Sequence, residues 1–349
     1  MSQRRTVLVL GAGSSVEFGL PAGNGLAKTI ASRTFFWFDD SGRMERGDID
    51  LYRAVQSRFG QQGGVLQAGR RLSEGLPLSL SIDDFLYNHG HDIALVTLGK
   101  AAIVQSILEA ESRSTLTTFQ VLEPGSPSRG LSVHADTWIQ KLFSFLQTGV
   151  RRSEVHRIFE NISIINFNYD RCVEMYFFHA LQLAYGIESD EAASVLATLD
   201  ITHPYGQVGK LPWQDLNNGI RFGETPRDFR ILNIADEIKT FTEQSHSDDE
   251  KQHWRSCLSE AEQVVFLGFG FHKQNADLIS LNGKLERCPS VYATSYGASS
   301  EDQDVFRSRI QKIFSAADAD SARLGNEDIS FAHAECNKMM SRFGMKLFS

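Results

Sequence analysis

The sequence predicts an α/β fold built on a Rossmann-like parallel sheet, and three observations support that prediction. A short run rich in valine and leucine, Thr6–Leu10, leads directly into Gly11-Ala12-Gly13, as expected of a buried strand followed by a tight turn. Two further apolar runs, Ile162–Phe167 and Val264–Leu267, also end in polar residues or glycine. Helical patterns separate the three runs, which is typical of parallel strands joined by crossover helices.

The glycine motif after the first strand indicates a phosphate-binding turn. Gly11 permits a tight turn, Gly13 allows a pyrophosphate to approach the backbone, and a helical turn from Ser14 would aim free N–H groups at that phosphate. The dinucleotide fingerprint has a third glycine where this chain has Val16, so the motif is incomplete. A tight strand-to-helix turn with no ligand explains the same stretch equally well.

The composition argues against several classes of function. The 349-residue chain carries 35 lysine and arginine residues against 43 aspartate and glutamate residues, a formal net charge of −8. This balance argues against direct nucleic-acid binding. Because the apolar runs are too short to span a membrane and the amino terminus lacks a signal-peptide core, we expect a cytoplasmic protein. The cysteines are scattered and are expected to be reduced thiols with no metal site: Cys172, Cys257, Cys288 and Cys336.

A large helical insertion is expected at about residues 40–150, between the first and second strands of a single domain spanning residues 1–349. Ser81 is expected to cap a helix that runs through about Ser112, with Asp83 and Asp84 as first-turn acids rather than catalytic groups. The aromatic run Phe35–Phe38 is more typical of a core or subunit contact than of a ligand site. Other predictions here are helices at 24–32, 51–59 and 137–146 and a loop at Leu122–Gly130.

The second half of the chain is predicted to alternate strands and helices. Strands are expected at 198–202 and 291–294 in addition to those at 162–167 and 264–267. Residues 186–193 are predicted as a loop and residues 218–223 as a hairpin-like run. Helical patterns cover residues 225–242, 249–262, 301–314 and 331–343.

Polar side chains follow the strands of the second half, at the edge where open α/β sheets bind ligands. Asn166, Asn168 and Asp170 end the strand at 162–167, although Asp170 would also suit the cap of the next helix. Because alternate residues on a strand share a face, His203 and Tyr205 could both point at a ligand, whereas a lone histidine there is more often structural. The candidates at the next two strand ends are Gly268, Phe269, Gly270, Asn275 and Ser295.

This ordered set of motifs resembles the sirtuin-like superfamily. The Gly11-Ala12-Gly13 loop, a helical turn and Gly19-Leu20-Pro21 resemble the sirtuin segment that closes over the nicotinamide half of NAD. Asn166-Phe167-Asn168-Tyr169-Asp170 looks like the sirtuin T-Q-N-I-D motif. Together with Glu174 and the Gly268–Phe271 motif, it is similar to bacterial sirtuin-like NAD hydrolases of anti-phage defence. The resemblance implies a sheet of the sirtuin type that binds NAD. The four-cysteine zinc ribbon of sirtuin deacylases is absent from the sequence.

The resemblance also implies roles for individual residues. Asn168 would position the ribose hydroxyls or the attacking water, and Asp170 would accept a hydrogen bond from the nicotinamide carboxamide. The family histidine acts as general base directly before a glycine, but here Tyr205 precedes Gly206 and the histidine, His203, lies two positions earlier. His203 is the expected base. The residues expected to bind NAD are Gly11, Ala12, Gly13, Ser15, Pro21, Asn166, Tyr205, Gly268, Phe269, Gly270, Asn275 and Ser295.

The expected activity is hydrolysis of NAD to nicotinamide and ADP-ribose, in which NAD is the substrate and no metal takes part. The nicotinamide of NAD is a cationic leaving group and needs no general acid, so positioned polar groups suffice for an oxocarbenium-like transition state. Two alternatives remain open: a sirtuin-class protein deacylase or ADP-ribosyltransferase, and a nucleotide-binding sensor without turnover.

The expected control of this activity is assembly, because unrestrained NAD hydrolysis would kill the host cell. By family resemblance the protein would be a toxic effector in anti-phage defence. A homo-oligomer, a co-encoded partner such as a helicase-type ATPase or an Argonaute-like protein, or both, would switch it on. The insertion at 40–150 is the expected contact surface.

Overall fold

The computed structural model describes residues 4–60, 63–117, 136–226, 229–239, 247–281, 285–315 and 322–348. The predicted loop Leu122–Gly130 lies outside these described residues. The strands are β1 Thr6–Leu10, β2 Trp37–Phe38, β3 Met44–Arg46, β4 Ile162–Asn166, β5 Asp200–Thr202, β6 Gln263–Leu267, β7 Ser290–Thr294 and β8 Ile329–Ala332. The helices are α1 Gly23–Thr34, α2 Ile49–Phe59, α3 Val65–Gly75, α4 Ile82–Asn88, α5 Ile93–Ser112, α6 Trp138–Leu146, α7 Cys172–Tyr185, α8 Ser189–Leu196, α9 Arg230–Glu237, α10 Asp248–Glu260, α11 Lys273–Leu278, α12 Ser300–Ile313 and α13 Cys336–Phe348.

The main sheet has six parallel strands in the order β5-β4-β1-β6-β7-β8. The prediction of a parallel α/β sheet is therefore confirmed. Counted along the chain within this sheet, the order is 3-2-1-4-5-6, which is the strand order of the Rossmann fold. The direction of winding reverses between β1 and β6, so a crevice opens there at the carboxyl ends of the two strands. β2 and β3 form a separate antiparallel pair.

Side chains alternate between two hydrophobic cores, one on each face of the sheet. On β1, Val7 and Val9 belong to one core, whereas Leu8 and Leu10 belong to the other, and all four are fully buried. This period of two is what a strand covered on both faces requires. The chain therefore forms three layers, with helices on both faces of the sheet.

The segment between β1 and β4 contributes helices to both outer layers. The long helix α5 packs against α1, α2, α3 and α9 over one face. By contrast, α6 packs against α7 and α13 over the other face. The hairpin formed by β2 and β3 presents Trp37 with 55% of its surface exposed, while Phe36 packs against Tyr52 of α2.

One predicted helix is two. The run expected from Ser81 to about Ser112 breaks between α4 and α5, because the carboxylate of Asp92 accepts a hydrogen bond from the Leu95 N–H and caps a new helix. Ser81 does cap α4, since its hydroxyl oxygen accepts from the Asp84 N–H at 3.1 Å.

Four other segment predictions in the second half need correction. The predicted loop at 186–193 contains the start of α8, because Gly186 ends α7 and Asp190 and Glu191 occupy the first turn of a new helix. The predicted helix at 331–343 begins too early, because its first two residues belong to β8, the sixth strand of the sheet, and α13 begins only at Cys336. Residues 218–223 form a loop instead of a hairpin, and within 225–242 the described helix is α9 alone.

The expectation that every apolar run is too short to span a membrane is wrong for α5, whose 20 residues and mean hydropathy of 1.5 would by length and composition allow it to cross one. However, 67% of its apolar window is buried inside the protein, as in the central helix of a folded core.

Candidate functional site: a cleft at the carboxyl edge of the sheet

A cleft of about 520 Å³ lies at the carboxyl ends of the central strands. Its walls come from the loops after β1, β4, β6 and β7, together with the start of α1 and the start of α4. This is the reversal point of the sheet, where doubly wound folds bind their ligands. Its volume falls within the range of small-molecule sites, about 300–1,000 Å³.

The structure brings eleven of the fifteen predicted site residues into this cleft. Ser15, Asn166, His203 and Ser295 are absent from its lining. The residues that line it as predicted are Gly11, Ala12, Gly13, Pro21, Asn168, Asp170, Tyr205, Gly268, Phe269, Gly270 and Asn275.

The loops after β1 and β6 need their glycines because these two loops pack backbone to backbone. The Gly13 N–H donates to the Gly268 carbonyl at 3.0 Å. A Cβ on Gly13 would lie 2.7 Å from the Gly268 Cα, and one on Gly11 would lie 2.7 Å from the Gly268 carbonyl oxygen. The sequence predicts that Gly11 and Gly13 let a pyrophosphate approach the backbone. In the structure, they let the loop after β1 approach the loop after β6.

The turn after β1 is not the start of a long helix. Two short 3₁₀ turns span Ala12–Ser14 and Val16–Phe18, and Gly19 then adopts a left-handed conformation with φ 87°. The chain re-enters a helix only at α1, whose first turn has no side-chain cap and whose start lines the cleft. The free N–H groups at the start of α1 therefore lie beside the cleft, whereas the sequence predicts that such groups follow Ser14. The lining residues missed here are Ala22, Gly23 and Asn24.

Asn168 is held by two serine hydroxyls. Its Nδ2 donates to Ser14 Oγ at 3.1 Å and to Ser15 Oγ at 3.0 Å, and its own N–H donates to the Asn166 side chain. Among the described residues no donor reaches its Oδ1, so this acceptor is left for a ligand or water in the cleft. Ser15 and Asn166 are therefore buried groups that position Asn168 from behind.

Asp170 joins the same network from the other side. Its Oδ1 accepts from the Cys172 N–H at 3.1 Å, and the Ser15 hydroxyl also hydrogen-bonds to its carboxylate. Burial raises the pKa of the Asp170 carboxyl, and nearby Glu111 adds to the rise, while the bonds from Cys172 and Ser15 oppose it. The side chain thus reaches the cleft while supporting the first turn of α7.

His203 is withdrawn from the cleft. β5 ends at Thr202 and the chain turns, with the Gly206 N–H donating to the His203 carbonyl, so the strand geometry that would align His203 with Tyr205 does not continue. His203 Nε2 lies 2.8 Å from Glu174 Oε1, and its Nδ1 lies 3.1 Å from the Asn168 carbonyl oxygen. Both partners are acceptors, so both ring nitrogens carry protons and neither is free to act as a base.

The charge of this histidine follows from its surroundings. Burial by itself lowers the pKa of His203, but the neighbouring Glu174 carboxylate and the Asn168 carbonyl outweigh it, so the net shift of the pKa is upward. Because both ring nitrogens face acceptors, the imidazolium forms an ion pair with Glu174 and fixes the backbone that carries Asn168.

Tyr205, unlike His203, lines the cleft. Its hydroxyl donates to Asn275 Oδ1 at 2.6 Å, and its ring meets Phe167 edge to face at 5.7 Å. Burial raises the pKa of Tyr205 well above its usual value, so the hydroxyl stays protonated and donates. Together Phe167, Phe269 and Tyr205 form one aromatic wall.

Asp83 lines the site, although the sequence predicts that it is only an acid in the first turn of a helix. Ser81 caps α4, and the Asp83 side chain accepts from the Tyr169 hydroxyl at 2.5 Å and lines the cleft. Burial raises the pKa of Asp83, and Asp84 adds to the rise, whereas Tyr169 and His272 oppose it. The sequence shows Asp83 and Asp84 at the start of a helix, but only the fold shows that the Asp83 side chain points into the cleft.

The rim near β7 carries an exposed aromatic side chain. Ser295, which was predicted to bind the ligand, is buried because its N–H and hydroxyl both donate to the Ala332 carbonyl of β8. The next residue, Tyr296, lines the cleft with 71% of its surface exposed. An exposed ring at a cleft mouth suits stacking on a flat heterocycle.

Replacing Gly268 with alanine is expected to destabilise the protein by at least about 2 kcal/mol, because the new Cβ would lie 2.1 Å from the Ser14 nitrogen at φ 59°. Gly186→Ala is the matched control, since Gly186 has the same φ of 59° with nothing within 4 Å. Urea unfolding of both variants isolates the clash. Equal losses of unfolding free energy would contradict the packing of the two loops.

The ion pair of His203 with Glu174 is expected to make stability depend on pH. The pKa of His203 is higher in the folded state, so its contribution is complete below the unfolded pKa and is lost as pH rises through the folded pKa. The loss of unfolding free energy in His203→Gln should therefore be larger at about pH 6 than at about pH 9. His156→Gln, at an exposed position, is the control. A loss that does not change with pH would rule out the charged pair.

No family model and no curated protein matches this chain.

Proposed function

We propose that the protein is an NAD glycohydrolase that cleaves the nicotinamide–ribose bond and releases nicotinamide and ADP-ribose. The observation that carries the proposal is the position of Asn168. This buried amide lies at the carboxyl end of β4, is held by Ser14 and Ser15, and leaves its Oδ1 open in a cleft at the reversal point of the sheet. The resemblance of the strand-end motifs to sirtuin-like NAD hydrolases supports the choice of substrate.

The lining of the cleft fits the three parts of NAD. The uncapped start of α1 offers backbone N–H groups to a pyrophosphate. Tyr296 at the rim suits the adenine ring. The aromatic wall of Phe167, Phe269 and Tyr205 suits the nicotinamide ring, and Asp170 beside it can accept from the carboxamide.

Hydrolysis at this site needs a positioned water and a proton acceptor. Nicotinamide leaves as a neutral molecule from a cationic precursor, so neither a general acid nor a Lewis acid is required. Asn168 Oδ1 orients the water or a ribose hydroxyl. Asp83 takes the proton, because its carboxylate lines the cleft and burial raises the pKa of this carboxyl above that of an ordinary aspartate. In this proposal the His203 ring positions Asn168 by contacting the Asn168 backbone carbonyl, and His203 does not act as the base.

A second candidate is a nucleotide-binding sensor without turnover. The withdrawal of His203 favours it, because the residue that the family uses as base is fully engaged with Glu174 and Asn168. A sensor would use the same cleft to bind NAD or a related nucleotide and would transmit its occupancy to a partner.

We further propose that the enzyme works in the cytoplasm as an effector of anti-phage defence that assembly switches on. The assembly would be a homo-oligomer or a complex with a co-encoded partner, such as a helicase-type ATPase or an Argonaute-like protein. The exposed Trp37 on the hairpin of β2 and β3 is an aromatic group of the kind that interfaces bury.

Incubation of the purified protein with NAD, with and without an acetylated peptide, distinguishes the candidates. Nicotinamide released without peptide supports the glycohydrolase. Release that requires peptide would show a deacylase, and saturable NAD binding without release would show a sensor.

A further inference from the structure

Three side chains of metal-ligand type meet at the amino end of the edge strand β5, away from the lining of the cleft. Asp200 is the first residue of β5, and His253 and Cys257 lie on α10. The spacing of four residues places His253 and Cys257 on the same helical face, one turn apart. Their ligand atoms and that of Asp200 all lie within 4.8 Å of one another.

The separations of these atoms are close to those around a tetrahedral ion. Cys257 Sγ lies 3.4 Å from Asp200 Oδ2 and 3.7 Å from His253 Nε2, and His253 Nε2 lies 2.9 Å from Asp200 Oδ1. Metal–ligand bonds of about 2.0–2.3 Å in a tetrahedron hold ligand atoms about 3.3–3.8 Å apart. The distance from Cys257 Sγ to His253 Nε2 already matches, and the histidine–aspartate pair would open by about half an ångström when a metal replaces the shared proton.

The two elements that carry the ligands are fixed to each other. The Trp254 Nε1–H donates to Thr202 Oγ1 at 3.0 Å, which ties α10 to β5 beside the cluster. Ser163 of β4 also hydrogen-bonds to the Asp200 carboxylate and orients it from the neighbouring strand. Such outer contacts hold a ligand set in place before an ion binds.

We propose that Asp200, His253 and Cys257 form a binding site for a divalent transition metal ion of the zinc class. Imidazole, thiolate and carboxylate together suit Zn²⁺, and three protein ligands leave a fourth position for water. His253 is 47% exposed and Asp200 36% exposed, so this fourth position opens toward solvent. The ion clamps the edge strand β5 to α10, in a place separate from the proposed NAD chemistry.

The proposal differs from the expectation drawn from the sequence, which assigned no metal ligand to any cysteine. The His-x-x-x-Cys spacing on a helix is the one feature of the sequence that indicates two of these ligands. The third ligand, Asp200, lies more than fifty residues away in the chain, and only the packing of α10 on β5 brings it close.

Titration of the metal-free protein with Co²⁺ tests the site directly, because cobalt bound to a thiolate gives a charge-transfer absorption that a thiol does not give. We expect one equivalent of Co²⁺ to develop this absorption and Zn²⁺ to abolish it by displacement. Cys257→Ser should lose the absorption, and His253→Gln should weaken Co²⁺ binding by about tenfold or more. Cys288→Ser and His156→Gln, outside the cluster, are the matched controls and should behave as wild type.

A thermal measurement gives a second, independent readout. Zn²⁺ at about a hundredfold excess over its Kd should raise the melting temperature of the wild type by about 3–4 °C and should not raise that of Cys257→Ser. Chelation by EDTA should reverse the rise without stopping nicotinamide release. An absent charge-transfer absorption, or an absorption and a thermal shift that Cys257→Ser retains, would overturn the proposal whatever the outcome for NAD.

Discussion

Replacing Asn168 with alanine is expected to lower the turnover of NAD by about 100-fold or more while the protein stays folded. The substitution removes Oδ1, the acceptor that this account assigns to the water or ribose hydroxyl. It also leaves the hydroxyls of Ser14 and Ser15 without the amide that they accept from. Nicotinamide release under saturating NAD measures the effect on kcat, and the melting temperature reports the fold.

Two comparison variants sharpen this prediction. Asn217→Ala removes an exposed asparagine in a distant loop and should keep wild-type turnover. Ser15→Ala should lower turnover by a smaller factor, about tenfold, because Ser15 positions Asn168 and Asp170 without lining the cleft. Turnover of a folded Asn168→Ala variant within about threefold of wild type would end the assignment of this residue.

Replacing Glu111 with alanine is expected to destabilise the protein by about 3–5 kcal/mol. Glu111 and Arg171 are both fully buried, and Arg171 Nη2 lies 2.5 Å from Glu111 Oε2. The same carboxylate accepts from the Arg171 and Gly223 N–H groups at 3.0 and 3.1 Å. The substitution would leave the guanidinium buried without its counter-charge, next to the strand end that carries Asp170.

Urea unfolding of three variants checks this second prediction. Arg157→Ala breaks a surface ion pair with Glu160 and should cost less than about 1 kcal/mol. The double variant Glu111→Leu with Arg171→Met removes both charges and should recover part of the loss seen in Glu111→Ala. A loss below about 1 kcal/mol in Glu111→Ala would show that the pair does not hold α5 against the site.

The sequence was sufficient to locate the cleft because its lining depends on local rules. A buried strand followed by glycine or by asparagine and aspartate gave three of the strand ends, and parallel strands bring such ends to one edge. Asn168, Asp170 and Gly268 were found in this way. The sixth strand, β8, was missed because its four residues run into an apolar helical pattern, and only pairing with β7 identifies it.

The residues that were missed or misplaced depend on packing between distant parts of the chain. Asp83 reaches the cleft because Tyr169, 86 residues away, donates to it. His203 leaves the cleft because β5 ends one residue earlier and Glu174 of α7 binds the ring. Ser295 is buried by β8, a strand that the sequence pattern did not reveal. No periodicity or spacing within a short segment contains these contacts.

Chromatography of NAD incubated with the protein shows whether the cleft hydrolyses NAD. The wild type should be measured over a range of protein concentrations that brackets its self-association, with Asn168→Ala alongside. We expect nicotinamide and ADP-ribose in equal amounts, turnover per protein molecule that rises with assembly, and no products from the variant. Intact NAD at every concentration of folded, assembled wild-type protein would contradict the claim.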